Sequence, residues 1–151
     1  MQIYEDDPRK PEVSRLLNEH LDAMRSISPP ESKHALDVDG LCVSEISFWT
    51  ARDADQVFGC GALFELDSTH GEIKSMRTAR AHLRKGVASM LLKHIIEAAR
   101  SRGFVRLSLE TGSMEEFAPA RAMYARFGFV ECEPFGAYQA DPNSVFMMLE
   151  L

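Results

Sequence analysis

A short basic segment followed by small residues, HLRKGVASMLL at residues 82–92, is the first place where residue types suggest chemistry. Arg84 and Lys85 carry positive charge, and Gly86 and Ala88 are small enough for an anion to approach the backbone closely. If a helix begins here, its first N–H groups have no partner within the helix, and its dipole makes that end positive. The segment therefore favours a phosphate or a pyrophosphate, although two solvated basic residues at an ordinary helix start are the alternative.

The surrounding elements must position this segment. Apolar residues at helical spacing predict helices in PRKPEVSRLLNEHLDAMRSI, in the stretch after HLRK, and in APARAMYARFG. Alternating apolar residues between turn signals predict strands in QIY, VSEISFWTARD, VFGCGALFEL, GEIKSMRT, VRLSLETG, FVECEPF and SVFMMLEL. The predicted order is β-α-β-β-β-α-β-α-β-β, with no repeat and no linker, so residues 1–151 are expected to form one domain.

This order is typical of an α/β (α+β) fold with a single mixed, mostly antiparallel sheet of about seven strands and helices on both faces. The last segment, SVFMMLEL, is expected to be an exposed strand that can pair across a homodimer.

Composition excludes several classes of protein. The chain of 151 residues is 45% hydrophobic and 26% charged, as in an average soluble protein. Its net charge of −6 argues against nucleic-acid binding as the main activity. No apolar run can span a bilayer and the acidic N-terminus is unlike a signal peptide, so we expect a cytoplasmic protein without a membrane partner. Three distant cysteines, and histidines without metal-ligand spacing, predict reduced thiols and no metal.

Two motifs in these elements resemble the Gcn5-related N-acetyltransferase (GNAT) family. The family consensus for binding acetyl-CoA, Gln/Arg-x-x-Gly-x-Gly/Ala, matches LRKGVA at Gly86 and Ala88 and departs at Leu83. The family pattern NxxAxxxYxRxGF resembles the stretch from Phe117 to Phe129, in which Phe117 replaces the usual asparagine. The two matches cover residues 72–130, and the element order extends the resemblance over nearly the whole chain.

The resemblance implies the acyl-CoA N-acyltransferase (GNAT) fold and acetyl-CoA as co-substrate. In the family the pantetheine arm bonds the backbone at the end of the middle strand, where this chain has Met76, Arg77 and Thr78. An exposed strand end has unpaired N–H and C=O groups, and one such N–H can also stabilise an oxyanion. The other residues expected to bind the co-substrate are Arg84, Lys85, Gly86, Val87, Ala88 and Ser89.

The implied reaction needs a neutral amine and a proton for the departing thiolate. Tyr124 is the candidate donor because a phenol is protonated at neutral pH; a tyrosine that only packs in the core is the alternative. Glu72 lies eleven positions before Leu83, where a glutamate serves as general base in the histone-acetylating branch of the family. A solvated carboxylate is the alternative for Glu72, and Glu110 at the end of the next strand is the second candidate base.

Two loops are expected to line the acceptor pocket. SPPESKHALDVDG is long for a connection and offers Glu31 and His34 to a polar substrate. ECEPFGAYQADPN offers Tyr138 as an aromatic contact. For both segments an ordinary surface loop is the alternative.

These features predict an acetyl-CoA-dependent N-acetyltransferase that acts by direct attack of a primary amine on a small molecule, an amino-acid derivative or a peptide. The sequence is similar to a bacterial subgroup of the family whose substrates are poorly defined. A route through an acetylated cysteine is less favoured, because no cysteine is next to an obvious base. Two alternatives stay open: a non-catalytic CoA-binding sensor or partner module, and a small α/β domain that binds another phosphorylated ligand.

Overall fold

The computed structural model describes residues 1–27 and 37–151, and its elements follow the predicted order. The strands are β1 (Gln2–Glu5), β2 (Ile46–Asp53), β3 (Gln56–Glu65), β4 (His70–Thr78), β5 (Arg106–Gly112), β6 (Val130–Cys132) and β7 (Ser144–Glu150). The helices are α1 (Pro11–Ile27), α2 (Val87–Ser101) and α3 (Ala118–Arg126). Across the described ranges, no helix has the length and apolar character that a membrane span requires.

All seven strands form one sheet in the order β1-β2-β3-β4-β5-β7-β6. Only β4 and β5 pair in parallel; the other described neighbours are antiparallel, which confirms the predicted mixed, mostly antiparallel sheet. The expectation that SVFMMLEL is an exposed strand is wrong, because β7 pairs with β5 on one side and β6 on the other. A position late in the chain does not fix a position in the sheet, and here β6 covers Phe146–Met148 on the outer side of β7.

Helices cover both faces of the sheet, as the sequence predicts. Side chains on successive strand residues point to opposite faces. On β3, Cys60 and Ala62 therefore join the core cluster of α1, whereas Leu63 joins the cluster of α2. The buried side chains of the α1 cluster include Val13, Leu16, Leu17 and Phe48, and those of the α2 cluster include Leu91, Leu92, Ile95 and Trp49.

The start of α1 is tied to β2 by a buried ionic network. Arg52 donates to Asp6 at 2.6 Å and to Glu12 at 2.9 Å, and the Thr50 hydroxyl donates to Asp6 at 2.6 Å. Burial acts to raise the pKa of Asp6, but hydrogen bonds from Lys10, Thr50 and Arg52 hold that pKa well below its usual range. The network fixes how α1 crosses the sheet and therefore where its last turns lie.

Strands β4 and β5 pair only over a short stretch and then separate. The parallel ladder runs from His70 opposite Arg106 to Ile73 opposite Leu109. Beyond it, the register between β3 and β4 shifts, and Ser75 takes the left-handed conformation with a φ of 56°. Such a bulge bends a strand and leaves one residue out of the ladder. A cleft opens where the two strands part.

Candidate active site

The cleft between β4 and β5 has a volume of about 120 Å³ and collects side chains from distant parts of the chain. Its walls come from both strands, from α1, from α3 and from the segment between β6 and β7. The lining residues that carry polar chemistry are His20, Glu72, Lys74, Ser75, Glu110, Tyr124 and Tyr138. The structure thus brings together four residues that the sequence singles out separately: Glu72, Glu110, Tyr124 and Tyr138.

Glu72 is buried and held by two partners. Lys74 Nζ lies 3.0 Å from Glu72 Oε2, and the Tyr138 hydroxyl donates to the same oxygen at 2.5 Å. Lys74 also donates to the Tyr138 hydroxyl at 2.9 Å. Burial and the neighbouring Glu72 carboxylate raise the pKa of Tyr138 above its usual value, so this phenol stays protonated. Lys74, which sequence reasoning missed, supplies the charge that allows a carboxylate to be buried here.

Glu110 lies at the open end of β5 in a different electrostatic environment. Burial raises the pKa of its carboxyl from the usual 4.5 to about 7, although Ser144 and Lys74 act in the opposite direction. The Glu72 carboxylate contributes to the increase, because two negative charges in one cleft repel each other. A carboxyl group with a pKa near neutrality is suited to take and return a proton at physiological pH.

Tyr124 projects from α3 into the core and also lines the cleft. Its side chain is 6% exposed and packs edge-on against Phe129, with the ring centroids 5.7 Å apart. Burial raises the pKa of this phenol above its usual value, so it carries a proton at neutral pH. The site therefore contains a buried proton donor, and the same ring has a packing role.

The segment before α2 has the backbone shape of an anion site. Arg84 and Gly86 are both left-handed, with φ values of 63° and 80°. Gly86 caps the helix, and a Cβ atom placed there would meet nothing within 4 Å, so the space in front of the helix is open. The side chain of Val87 is buried, so its backbone N–H is the group that can contact a ligand. These residues fit a pyrophosphate, whereas Leu83 is half exposed and offers only apolar surface.

The end of β4 keeps one edge free, as expected for residues 76–78. Arg77 and Thr78 pair with Cys60 and Gly59 of β3, but the described ladder with β5 stops at Ile73. The backbone on the β5 side is therefore available to an extended ligand that adds to the strand. Met76 lines the cleft with its side chain packed over Gly61, at a position where a Cβ atom would collide with it.

Sequence reasoning missed two polar residues of the cleft, His20 and Ser75. His20 lies on α1 one turn after Leu16, within the apolar face of the helix, and Ser75 is one polar residue in the strand GEIKSMRT. The imidazole Nδ1 of His20 and the hydroxyl of Ser75 are buried without a hydrogen-bond partner among residues 1–27 and 37–151. A polar residue on the apolar face of a helix is the sequence signal that could have singled out His20. Glu31 and His34 lie outside the described residues; among the described ones, no three metal-binding side chains cluster.

The sequence was compared with protein families and with curated proteins. The family model described as "Acetyltransferase (GNAT) family" matches residues 13–129. An uncharacterized N-acetyltransferase of Bacillus subtilis, YsnE, is 58% identical over 100% of both chains. YedL of Escherichia coli, also an uncharacterized N-acetyltransferase, is 47% identical over 99% of this chain and 94% of its own. An IAA acetyltransferase of Azospirillum brasilense is 34% identical over 96% of this chain and 94% of its own.

Solved structures share the fold over nearly the whole chain. An acyl-CoA N-acyltransferase from Klebsiella pneumoniae has a TM-score of 0.77 and 28% identity, and the match covers 99% of this chain and 97% of that one. An aminoglycoside 6'-N-acetyltransferase complexed with coenzyme A has a TM-score of 0.72 and 15% identity, with the same coverage. At that low identity the second likeness concerns the fold alone.

Proposed function

The chain belongs to the acetyltransferase (GNAT) family, whose chemistry is acyl transfer, and on this basis we propose an acetyl-CoA-dependent N-acetyltransferase acting on a primary amine. The observation that carries the proposal is the meeting of a buried phenol, Tyr124, with a carboxyl of near-neutral pKa, Glu110, in one cleft beside the free edge of β4. The described cleft, at about 120 Å³, favours a compact amine or the end of a longer chain as acceptor. All of residues 1–151 would act as one N-acetyltransferase domain.

Acetyl-CoA would supply the activated acetyl group and a thiol leaving group. The N–H groups of Val87, Ala88 and Ser89 would bind its pyrophosphate at the start of α2, where the helix dipole favours negative charge. Arg84 and Lys85 precede them and add positive charge. The backbone of Met76, Arg77 and Thr78 would hold the pantetheine arm along the free edge of β4.

The proposed roles in proton transfer follow from the surroundings of each ionisable group. Tyr124 would donate its proton to the departing thiolate, since its raised pKa keeps it protonated at neutral pH. Glu110 would take the proton of the attacking amine, because its pKa of about 7 lets it act as base at physiological pH. Glu72, the first candidate from the sequence, remains the second candidate. Its Oε2 is already engaged by Lys74 and Tyr138, so acting as base would require that pair to rearrange.

The acceptor and the direct attack are tested together by a screen that detects thiol release. Primary amines of increasing size, amino-acid derivatives, short peptides and IAA, after which the Azospirillum relative is named, would be offered with acetyl-CoA. We expect thiol release that requires an amine and yields an N-acetylated product by mass spectrometry. Binding of CoA without thiol release to any acceptor would contradict the proposal and favour a non-catalytic sensor.

We also place the protein in the cytoplasm. Its cysteines, Cys42, Cys60 and Cys132, are all free, as is usual for proteins kept in a reducing compartment. Burial raises the pKa of Cys60 to about 12, so this thiol is unreactive and unsuited to carry an acetyl group. Fractionation of producing cells should recover the protein with cytoplasmic markers, and recovery with periplasmic or membrane markers would contradict the assignment.

A further inference from the structure

Two side chains of the cleft bury polar atoms that bond to no described residue. His20 Nδ1, from α1, and Ser75 Oγ, from β4, are each shielded from water without a hydrogen-bond partner in the described part of the chain, although both residues line the cleft. Most buried polar side-chain atoms in folded proteins are paired, because an unpaired one loses its bonds to water and gains nothing. Two such atoms in one small cleft require an explanation.

The same sheet shows that a partly buried histidine and a buried serine can satisfy each other. At the closed end of β4, His70 Nε2 and Ser108 Oγ lie 2.7 Å apart across the parallel ladder. Burial, followed by the charge of Arg106, lowers the pKa of His70, so that pair is neutral and internally bonded. His20 and Ser75 contain the same two groups, but neither bonds to any described residue, which points to a ligand as their partner.

The backbone at Ser75 supports a role beyond packing. Its φ of 56° lies in the left-handed region, which is costly for a residue with a Cβ atom and is concentrated at functional sites. Its carbonyl oxygen accepts a hydrogen bond from Cys60 Sγ at 3.3 Å, so the bulge is fixed by the core. The strain therefore holds the Ser75 hydroxyl in a defined place.

The charges around the cleft decide what kind of group would fit. Burial, and then the charge of Arg77, lowers the pKa of His20 to about 4, so its ring is neutral and offers one donor and one acceptor. The nearby Arg77 is paired with Glu19 at 3.3 Å, and Lys74 with Glu72 at 3.0 Å. Each of these two described cations therefore already faces a carboxylate, which disfavours a further anionic group beside His20 and Ser75, although Arg77 Nε is itself buried without a described partner. A hydroxyl or an amide can both donate and accept, and matches two neutral partners.

We propose that His20 and Ser75 form an acceptor subsite for an uncharged hydrogen-bonding group, a hydroxyl or an amide, carried by the amine that is acetylated. The inference rests on the proposed transfer to an amine and narrows its substrate class to amino alcohols and amino amides. The amine of such a molecule would face Glu110, and its neutral polar group would lie between α1 and β4.

Matched acceptors test the subsite. The amino alcohol 3-aminopropan-1-ol would be compared with butylamine, and β-alaninamide with β-alanine, together with shorter and longer homologues of each pair. We expect the hydroxyl and the amide to raise kcat/KM about tenfold over the alkyl and carboxylate analogues at the best chain length. Equal values at every length, or a preference for the carboxylate, would overturn the proposal.

Two variants connect the preference to these residues. Ser75→Ala keeps the Cβ atom, and therefore the backbone strain, while removing the hydroxyl; His20→Leu removes the imidazole. Each should reduce the ratio between the amino alcohol and butylamine to nearly one and should raise the unfolding temperature, because a buried unpaired group is gone. Ser26→Ala, on the exposed side of α1, should keep the wild-type ratio. A ratio unchanged in both site variants would reject the subsite.

Binding without turnover separates this inference from the proposed function. Thermal unfolding in the presence of CoA would measure how much each acceptor stabilises the protein. Stronger stabilisation by the amino alcohol, lost in Ser75→Ala, would support the subsite even if no amine is acetylated, in which case the transferase proposal alone fails. Transfer to amines without any preference would overturn the subsite alone, and neither binding nor transfer would overturn both.

Discussion

Strand β4 behaves differently at its two ends. Over His70–Ile73 it pairs with β5, and the partly buried His70 and the buried Ser108 bond to each other. Beyond Ile73 the strand pairs with β3 alone among the described strands, Ser75 is strained, and the Ser75 hydroxyl is buried without a described partner. The closed end stabilises the fold, and the open end leaves backbone and side-chain groups for a ligand. The position at which one ladder stops thus determines where chemistry is possible.

The largest effect on activity is expected from replacing Glu110, the carboxyl at the open end of the cleft. We expect Glu110→Gln to lower kcat/KM about 1,000-fold at pH 8, because a general base typically contributes between 10² and 10⁴. In the wild type, kcat/KM should rise with pH through about 7, where Glu110 loses its proton, and the variant should lack this rise. The matched variant Glu72→Gln should retain the rise. A rise that survives in Glu110→Gln would assign the base elsewhere.

Glu110 should also make the free energy of unfolding depend on pH. Its pKa is about 7 when folded and about 4.5 when exposed, so between these values the folded chain holds a proton that the unfolded chain has released. Raising the pH through this window should therefore destabilise the wild type, by at most about 3 kcal/mol. Urea unfolding of wild type and Glu110→Gln across this range would measure the difference, and parallel pH curves would contradict it.

The second-largest effect on activity is expected from replacing Tyr124, the proposed proton donor. Tyr124→Phe should lower kcat about 100-fold, at the low end for acid catalysis because a thiolate leaves easily. The affinity for CoA should stay the same, since the ring still packs against Phe129. Kinetics and calorimetry would separate the two quantities. Tyr4→Phe, on an exposed edge strand, is the matched control, and unchanged turnover in Tyr124→Phe would remove the proposed role.

A smaller effect, on the affinity for CoA, is expected from changing Gly86 at the start of α2. Gly86→Ala and Gly103→Ala both place a Cβ atom at a left-handed position with nothing within 4 Å, so each should cost about 1 kcal/mol of stability. Only Gly86→Ala should weaken CoA binding, by about tenfold, because its Cβ would occupy the space where the pyrophosphate approaches. Calorimetric titration with CoA would compare them. Equal affinities in the two variants would place the pyrophosphate elsewhere.

The smallest effect is expected from replacing Tyr138, which hydrogen-bonds Glu72 in the wall of the cleft. Tyr138→Phe removes one donor to Glu72 but leaves the bond from Lys74, so we expect a loss of about 1 kcal/mol in stability. The KM for the acceptor should rise more than kcat falls, because the change affects the shape of the pocket and not the proton donor. Steady-state kinetics would show the split, and a fall confined to kcat would give Tyr138 a catalytic role.

Local features of this protein could be predicted from the sequence. The element order follows from periodicity and turn residues, and the start of α2 directly after Gly86 follows from the small residues there. The strand predicted from FVECEPF is shorter than expected, ending at Cys132, since Pro134 cannot donate to a ladder.

Features that depend on distant contacts could not be predicted. The bond between Glu72 and Tyr138 joins residues on opposite sides of α2 and α3 in the chain, and no local pattern marks Lys74 as their partner. The preference for Glu110 over Glu72 as base depends on burial and neighbouring charge, which only the folded cleft defines. The isolation of His20 and Ser75 likewise appears only once α1 is seated on the sheet.

The parallel pairing of β4 with β5 has a consequence for how the protein folds. The hairpins joining β2, β3 and β4 close short loops, whereas the pairing of His70 with Arg106 closes a longer loop that contains all of α2. Closing a longer loop costs more entropy and slows pairing. We therefore expect the cleft to be assembled late. Pulse-labelled hydrogen exchange during refolding should protect the amides of Cys60 and Leu63 before those of Leu107 and Leu109, and simultaneous protection would contradict this order.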